Sequence, residues 1–276
     1  MTTNAHLERI GLLGAGNMAG ALLSGLLGSK VVEPTQIRAS DPRKARLDEL
    51  RQTHGITTSD TNAEIVDWAN ILVLAVKPDV VAKVLDECGA KIGARHLVVS
   101  IAAGVPIRAI ESKLGPGVRV IRAMPNTPAI SRAGATAVSA GTAATHADLD
   151  VARALFEAVG RVVTVDETLL DAVTGLSGSG PAYVMLFIEA LADGGVQAGL
   201  PRDVALLLAT QTVYGSAKLL LETGEHPARL KDAVTSPGGT TIAGLRALED
   251  AGVRGAIMGA VEQATERAIE LGKPRK

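Results

Sequence analysis

One stretch near the start of the chain decides the fold: Arg9-Ile10-Gly11-Leu12-Leu13-Gly14-Ala15-Gly16-Asn17-Met18-Ala19-Gly20. Its first part, residues 9–13, is typical of a buried strand, and a helical pattern follows from Met18 to Leu27. Between them stands Gly14-x-Gly16-x-x-Ala19, the G-x-G-x-x-G/A form of the turn that binds a dinucleotide. The order strand, glycine turn and helix is the context that this motif requires.

The small residues of this turn each have a physical reason. Gly14 permits the tight turn, Gly16 lets the backbone approach a pyrophosphate because it has no Cβ, and Ala19 lets the helix pack closely on the strand. The helix N-terminus adds unpaired N–H groups and a partial positive charge. The stretch therefore predicts a phosphate cradle, and the alternative is a glycine-rich turn without a ligand.

Short apolar runs alternate with helical patterns up to about residue 165. This alternation predicts an α/β fold, a Rossmann-type, doubly wound and mostly parallel sheet with helices on both faces. Several runs are apolar throughout, as expected of strands that are buried on both sides. The predicted strands are Arg9–Leu13, Gln36–Ala39, Ile71–Val76, Leu97–Ile101, Val118–Ala123, Thr136–Ser139 and Val162–Val165.

The strand signal ends after Asp166, and residues 167–272 have the pattern of helices separated by glycines. Residues 205–221 form a helical pattern that is apolar on more than one stripe, so it needs more partners than a small domain offers. We therefore predict a dinucleotide-binding domain over residues 1–165 and an all-helical dimerisation domain over residues 166–276. The alternative is a monomer in which this helix is well covered.

Composition excludes several classes of protein. With 28 Lys and Arg against 29 Asp and Glu, the net charge is −1, and aromatic residues make up 2% of the chain. Nucleic acid is therefore not an expected partner. Cys88 is the single cysteine, so no disulfide forms within one chain, and its apolar, helical surroundings predict a core residue rather than a reactive thiol. No signal peptide or membrane segment is evident, and we expect a cytoplasmic protein without a membrane partner.

The usual residues of hydrolytic, metal and phosphoryl-transfer sites do not form a pattern in this sequence. The histidines lack metal-ligand spacing, so no metal is predicted, and neither a G-x-S-x-G nor a Walker A motif is present. Hydride transfer is compatible with the absence of these motifs, because a nicotinamide cofactor supplies the reactive atom.

The end of the second predicted strand bears on the choice of cofactor. It reads Ser40-Asp41-Pro42-Arg43-Lys44. A hydroxyl followed by two cations suits a ribose 2′-phosphate, which favours NADPH over NADH. Asp41 could accept from a 2′-OH instead, as an acid does in NAD sites. We expect it to cap the next helix, with Pro42 as the first helical residue, and NADH remains the less preferred alternative.

A second unusual segment is the run Leu230-Lys231-Asp232-Ala233-Val234-Thr235-Ser236-Pro237-Gly238-Gly239-Thr240-Thr241-Ile242-Ala243-Gly244-Leu245. Hydroxyl residues and glycines here precede an amphipathic helix, so they can present O–H and N–H groups to a small anion such as a carboxylate. The alternative is an ordinary helix–helix loop with Thr240 or Thr241 as the N-cap.

With these residues the sequence resembles the pyrroline-5-carboxylate reductase family over residues 10 to about 250. The first motif, residues 10–18, is common to dinucleotide folds, whereas the last two matching segments are close to diagnostic. The matching segments are residues 10–18, Leu74–Pro78, Ser100–Val105, Val120–Pro128, Thr174–Tyr183 and Val234–Leu248. The resemblance implies an NADPH-dependent oxidoreductase acting on CH–NH donors, which reduces 1-pyrroline-5-carboxylate to L-proline in the last step of proline biosynthesis. It also implies a homo-oligomer formed through the helical domain.

The same resemblance assigns the cofactor residues. The pyrophosphate would lie on the glycine turn, the 2′-phosphate at the end of the second strand, the adenosine ribose against Asn62, and the nicotinamide side along two later loops. These residues are Leu13, Gly14, Ala15, Gly16, Asn17 and Met18; Ser40, Arg43 and Lys44; Asn62; Ala75, Val76, Lys77 and Pro78; and Ala102, Ala103 and Gly104. Structural alternatives exist for some positions: Asn62 could cap a helix, and Arg122 could be an ion-pair partner.

The substrate carboxylate and ring nitrogen would be held by Ser236, Gly238, Gly239, Thr240 and Thr241. A protonated imine is already electrophilic and needs positioning more than a strong acid. We expect Thr241 to be the catalytic residue, as the hydrogen-bond donor to the ring nitrogen.

Two rival hypotheses come from the residues. A β-hydroxyacid dehydrogenase would need a lysine after the glycine-rich segment Gly178-Ser179-Gly180, and residues 181–188 contain none. A sensor that binds NADPH without turnover would not need the hydroxyl-rich segment.

Overall fold

The computed structural model describes residues 7–273, which form two compact units. The first unit comprises residues 7–179 and 263–273, and the second comprises residues 180–262. The predicted domain boundary at residues 165/166 stays a prediction, and the ends of the predicted domains, residues 1–6 and 274–276, lie outside the described residues.

The first unit contains an eight-stranded sheet with the strand order β3-β2-β1-β4-β5-β6-β7-β8. β7 is antiparallel to β6, and every other neighbouring pair is parallel. The strands are β1 (Ile10–Leu13), β2 (Ile37–Ser40), β3 (Thr57–Ser59), β4 (Ile71–Leu74), β5 (Leu97–Ser100), β6 (Arg119–Met124), β7 (Gly134–Ala140) and β8 (Gly160–Thr164). The predicted doubly wound, mostly parallel sheet is confirmed, and β3 is a strand that the sequence analysis missed.

Helices connect these strands and make up the second unit. Those of the first unit are α1 (Asn17–Gly28), α2 (Lys44–His54), α3 (Asn62–Trp68), α4 (Pro78–Cys88), α5 (Ile107–Glu111), α6 (His146–Glu157) and α7 (Leu170–Val173). Those that follow are α8 (Gly180–Gln197), α9 (Arg202–Thr223), α10 (Pro227–Ala233), α11 (Thr240–Asp250) and α12 (Val253–Leu271). The predicted change from α/β to all-helical structure is confirmed.

Side chains alternate between the two faces of the sheet along each strand, and both faces are buried. In β4, Ile71 and Val73 belong to a core cluster that includes residues of α1 and α6. Leu72 and Leu74 belong to a second cluster that includes residues of α3 and α4. The wholly apolar run at this position in the sequence therefore matches its burial.

The strand order places a crevice beside β1. The chain leaves β1 towards β2 on one side and later returns to β4 on the other. In open α/β sheets, ligands bind at such a switch point, outside the carboxyl ends of the strands. The glycine turn after β1 and the loop after β4 therefore lie at the position where this fold binds its ligands.

The second unit is helical and leaves much apolar surface open. Ile188 and Ala192 of α8 pack with Ala205 and Ala209 of α9. On the outer faces, the side chains of Leu186 and Leu207 are each 68% exposed. Among residues 7–273, α9 is long and apolar enough to cross a membrane by length and composition, and 11% of its apolar window is buried. The prediction that this helix is apolar beyond what its own chain covers is confirmed.

Two titratable side chains, Cys88 and His96, lie buried in the first unit. Burial raises the pKa of the Cys88 thiol to about 11, and its Sγ donates to the Val84 carbonyl, which confirms an unreactive core residue. His96 is fully buried; its Nδ1 lies 2.9 Å from the Gly93 amide nitrogen and its Nε2 3.1 Å from the Val66 carbonyl oxygen. Burial lowers the pKa of His96 below its ordinary value.

Because the pKa of His96 is lowered on folding, the unfolded chain takes up a proton first as the pH falls. The stability that neutral His96 provides is complete above the ordinary histidine pKa of about 6.5 and is lost as the pH falls below it. We expect the gap in Tm between the wild type and His96→Gln to narrow from pH 7.5 to pH 5.5. Other histidines are common to both proteins and cancel, so a constant gap would contradict this role.

Candidate functional site

The turn between β1 and α1 is shaped by Gly14. Its φ is +96°, and its N–H donates to the Ser40 carbonyl at 2.9 Å. A Cβ at this position would lie 2.8 Å from the Ala75 carbonyl oxygen and 2.7 Å from Val76 Cγ1. Glycine is thus required at position 14 for two reasons: the backbone is left-handed, and the loop after β4 approaches closely.

Gly16 has a different environment. It is the N-cap of α1, and a Cβ built on it would meet a single neighbour, the Ala75 carbonyl oxygen, at 3.9 Å. Within the part of the chain that the structure describes, no side-chain hydrogen bond caps α1. The turn therefore combines open space with unsatisfied N–H groups at a helix N-terminus, which fits the pyrophosphate of a dinucleotide.

Asp41 is buried and fully engaged by neighbouring donors. One carboxylate oxygen accepts from the Ala15 N–H at 3.0 Å, and Arg43 donates from its backbone N–H at 3.0 Å and its Nε at 2.8 Å. Burial pushes the pKa of Asp41 upwards, but the hydrogen bonds from Arg43 and Ala15 outweigh it and hold the pKa below its ordinary value. The ionised carboxylate is therefore neutralised by Arg43 rather than free for a ribose hydroxyl.

The predicted helix-capping role of Asp41 is wrong. α2 begins at Lys44 with Arg43 as its N-cap, so Pro42 precedes the helix instead of starting it. Asp41 bonds to the glycine turn because the carboxyl ends of β1 and β2 are neighbours in the sheet. Arg43 and Lys44, both predicted to hold the 2′-phosphate, are exposed beside it.

Two predicted cofactor residues meet at the end of β2. The Ser40 hydroxyl lies 2.7 Å from Asn62 Oδ1 and 3.3 Å from the Leu12 carbonyl oxygen, and Ser40 is buried. Asn62 is the first residue of α3, and its N-cap is Thr61. The alternative that Asn62 caps this helix is therefore wrong.

The loops after β4 and β5 lie at the same edge of the sheet. The Ala75 N–H donates to the Leu13 carbonyl at 2.8 Å, and the Ile101 N–H donates to the Leu74 carbonyl at 3.1 Å. Residues 75–78 thus follow β4 directly into α4, and residues 102–104 follow β5. Their proposed contact with the nicotinamide side of a cofactor stays a prediction.

Arg122 has a structural role close to these loops. It is buried on β6 and donates to Glu167 at 3.2 Å and to Asp171 at 3.4 Å. The same oxygen of Glu167 accepts from the Ile107 N–H at 2.6 Å, at the start of α5. The ion-pair interpretation of Arg122 is confirmed, and the network fixes the end of the loop that contains residues 102–104.

Two of the segments that carry the family resemblance meet inside the first unit. The Asn126 side chain donates to the Ser177 carbonyl at 3.0 Å and accepts from the Ala135 N–H at 2.8 Å. A Cβ on Gly178 would lie 2.6 Å from Met124 Cε. The two motifs are therefore mutual packing partners.

The hydroxyl-rich segment of the second unit precedes α11. Gly238 has a φ of +67°, and the Gly239 N–H donates to the Ser236 carbonyl at 3.1 Å. Gly239 is the N-cap, so the alternative that Thr240 or Thr241 caps the helix is wrong; both lie in its first turn. No side chain caps this helix, and within the described residues no hydrogen bond engages the hydroxyls of Ser236, Thr240 or Thr241. This arrangement can hold a small anion.

Together these features define a class of protein. A doubly wound sheet with a glycine turn at its switch point, and basic residues at the end of β2, belongs to the dinucleotide-dependent oxidoreductases. Among residues 7–273, no group of three or more His, Cys, Asp or Glu side chains could hold a metal ion.

Comparison with known proteins narrows this class to a family. Residues 167–271 match the model described as pyrroline-5-carboxylate reductase dimerisation, and residues 9–104 match that described as NADP oxidoreductase coenzyme F420-dependent. The pyrroline-5-carboxylate reductase of Methanosarcina acetivorans is 50% identical over 96% of this chain and 98% of its own length. The chain therefore belongs to the pyrroline-5-carboxylate reductase family, which confirms the resemblance found in the sequence.

Solved structures agree with this assignment. A pyrroline-5-carboxylate reductase from Coxiella burnetii has 37% identity and a TM-score of 0.92, over 98% of this chain and all of that one. A pyrroline carboxylate reductase from Plasmodium falciparum, with NADP bound, has 30% identity and a TM-score of 0.86, over 96% of this chain and 98% of its own.

The different surroundings of Gly14 and Gly16 generate a prediction. We expect Gly16→Ala to keep the wild-type Tm within about 2 °C, because its Cβ has space in the protein, yet to weaken NADPH binding by about tenfold or more. Gly14→Ala should lower the Tm as well, since its Cβ meets backbone and needs φ of +96°.

Thermal denaturation and NADPH titration of both variants measure these effects. The control is Gly115→Ala, where a Cβ meets nothing within 4 Å and no positive φ is required. Wild-type NADPH affinity in Gly16→Ala would show that the pyrophosphate does not lie on this turn.

Proposed function

We propose that this chain, an NADPH-dependent oxidoreductase, reduces 1-pyrroline-5-carboxylate to L-proline, the last step of proline biosynthesis. The observation that carries the proposal is membership of the pyrroline-5-carboxylate reductase family over nearly the whole chain. The glycine turn at the switch point and the hydroxyl-rich N-terminus of α11 supply what this reaction needs, a dinucleotide site and a carboxylate site.

The cofactor would be held by backbone groups and cations of the first unit. Residues 13–18 would bind the pyrophosphate, Ser40, Arg43 and Lys44 the 2′-phosphate, and Asn62 the ribose. Residues 75–78 and 102–104 would flank the nicotinamide. When bound, NADPH supplies the hydride.

The charges around β2 support the preference for NADPH. An unpaired acid at this strand end would repel a 2′-phosphate, but Arg43 neutralises Asp41. The side chain of Arg43 is 63% exposed and its guanidinium keeps free N–H groups, and Lys44 adds a second cation. A phosphate is better matched by these groups than a hydroxyl.

The substrate would be held by α11 in the second unit. The carboxylate of the substrate would accept hydrogen bonds from the free N–H groups at the N-terminus of α11 and from the hydroxyls of Ser236 and Thr240. The partial positive charge at this end of the helix would stabilise it further. The Thr241 hydroxyl would orient the ring nitrogen. The nitrogen of a protonated imine has no lone pair, so the Thr241 hydroxyl would accept a hydrogen bond from its N–H rather than donate to it. Once the imine has become an amine, the same hydroxyl can donate to the nitrogen lone pair.

The chain works as a homo-oligomer, and its helical unit is the dimerisation region of the family. A second copy would cover the exposed leucines of α8 and α9, which one chain leaves in water. We place the enzyme in the cytoplasm, in keeping with the lone buried thiol of Cys88.

The decisive experiment is the loss of absorbance at 340 nm when 1-pyrroline-5-carboxylate is added to the enzyme with NADPH, and in parallel with NADH. We expect oxidation of both cofactors with formation of proline, and a higher kcat/KM for NADPH because of Arg43 and Lys44. If folded protein binds NADPH but oxidises neither cofactor, the reductase assignment fails and a hydroxyacid substrate or a sensor role replaces it. A higher kcat/KM for NADH would overturn the proposed 2′-phosphate site alone.

Thr241 can be tested separately. We expect Thr241→Val, which keeps the shape but removes the hydroxyl, to lower kcat/KM for the imine by roughly tenfold or more, the loss of one transition-state hydrogen bond. Thr241→Ser should retain most activity. The control is Thr223→Ala, which removes a hydroxyl that bonds back to Leu219 within α9. Wild-type kcat/KM in Thr241→Val would exclude Thr241 from the reaction.

A further inference from the structure

The peptide groups on both sides of Ala15 are held by side chains from the segment after β2. The Ala15 N–H donates to Asp41 Oδ2 at 3.0 Å, and the Ala15 carbonyl accepts from Arg46 Nε at 2.8 Å. The first bond fixes the peptide before Ala15, and the second fixes the peptide after it. The glycine turn is thereby anchored at two successive peptide groups, to Asp41 after β2 and to Arg46 of α2.

The second bond has a consequence for the cofactor. In a planar trans peptide, the carbonyl of one residue and the N–H of the next point in opposite directions. With the Ala15 carbonyl turned towards Arg46, the N–H of Gly16 points away from α2. Gly16 borders the open space where a built Cβ meets a single atom, at 3.9 Å. Arg46 therefore sets the direction of a donor in the predicted pyrophosphate cradle.

Arg46 is itself fitted into place by its neighbours. Its side chain is 21% exposed, and its Nη1 pairs with Glu49 at 2.7 Å. Its guanidinium lies against the first turn of α1, where a Cβ on Gly20 would come within 2.6 Å of Nη2. Gly20 thus leaves the space that this arginine occupies.

We propose that Arg46 is a positioning residue for the dinucleotide: it holds the Ala15 carbonyl so that the Gly16 N–H remains directed at the pyrophosphate. The inference rests on the proposed cofactor site and not on the identity of the imine. Since NADPH and NADH share the pyrophosphate, Arg46 acts on both to the same extent. This separates it from Arg43 and Lys44, which are proposed to distinguish the two cofactors.

The test compares Arg46→Ala with Arg51→Ala. Arg51 lies on the same helix, makes an i,i+3 pair with Asp48 as Arg46 does with Glu49, and contacts Thr58 rather than the glycine turn. Binding of NADPH and of NADH is titrated without substrate, so the result stands even if the imine reduction fails. KM for each cofactor, kcat and Tm are measured alongside.

For Arg46→Ala we expect Kd and KM to rise about tenfold for both cofactors, the loss of one charge-assisted hydrogen bond, while kcat at saturation changes less than about twofold. Arg51→Ala should leave Kd and KM at wild-type values. Unchanged Kd in Arg46→Ala would overturn the proposal. Weaker binding of NADPH alone would also overturn it, because it would mean direct contact with the 2′-phosphate. Equally weakened binding in Arg51→Ala would overturn it too, because it would mean a general effect of charge.

A second variant keeps the test independent of the stability of Arg46→Ala. Gly20→Ala should displace the guanidinium at the end of the Arg46 side chain rather than the backbone, and weaken the binding of both cofactors by a few fold. In the Arg46→Ala background, the same change should cost no further affinity. Additive losses would show that Gly20 and Arg46 act separately and would contradict the proposed arrangement.

Discussion

The approach of the glycine turn to the loop after β4 is the constraint on which the proposed cofactor site depends. Gly14 hydrogen-bonds to the end of β2, and its Cα faces the Ala75 carbonyl so closely that a methyl group would overlap it. β1 lies between β2 and β4, so this one residue brings together three strand ends. The open space beside Gly16 and the free start of α1 follow from that contact, since a wider turn would move both away from the crevice.

The surroundings of Asp41 explain how an acid at the end of β2 is compatible with the proposed preference for a phosphorylated cofactor. The carboxylate is buried and ionised because Arg43 and the Ala15 N–H donate to it. The negative charge of Asp41 is therefore compensated within the protein, and the carboxylate is not available to a ligand. The same bonds join residues 41–43 to the glycine turn, so the proposed sites for the 2′-phosphate and the pyrophosphate are held together by hydrogen bonds.

The parts predicted from sequence are those encoded by neighbouring residues. Wholly apolar runs marked the strands, and the glycine spacing marked the turn, because both signals are local. β3 was missed since Thr57-Thr58-Ser59 is short and polar. The role of Asp41 was misassigned because its partner Ala15 is 26 residues away. No sequence motif marks Arg46, because its bond to the Ala15 carbonyl spans 31 residues.

The proposed 2′-phosphate site and the proposed carboxylate site differ in the groups that they offer to an anion. A 2′-phosphate carries more charge than a carboxylate, and the chain, with a net charge of −1, places Arg43 and Lys44 together at the end of β2. The carboxylate site on α11 uses a helix N-terminus and neutral hydroxyls instead. Such a site binds a single negative charge without a cation that would also attract phosphates. The proposed 2′-phosphate site and the proposed carboxylate site therefore differ in whether a cation contributes to binding.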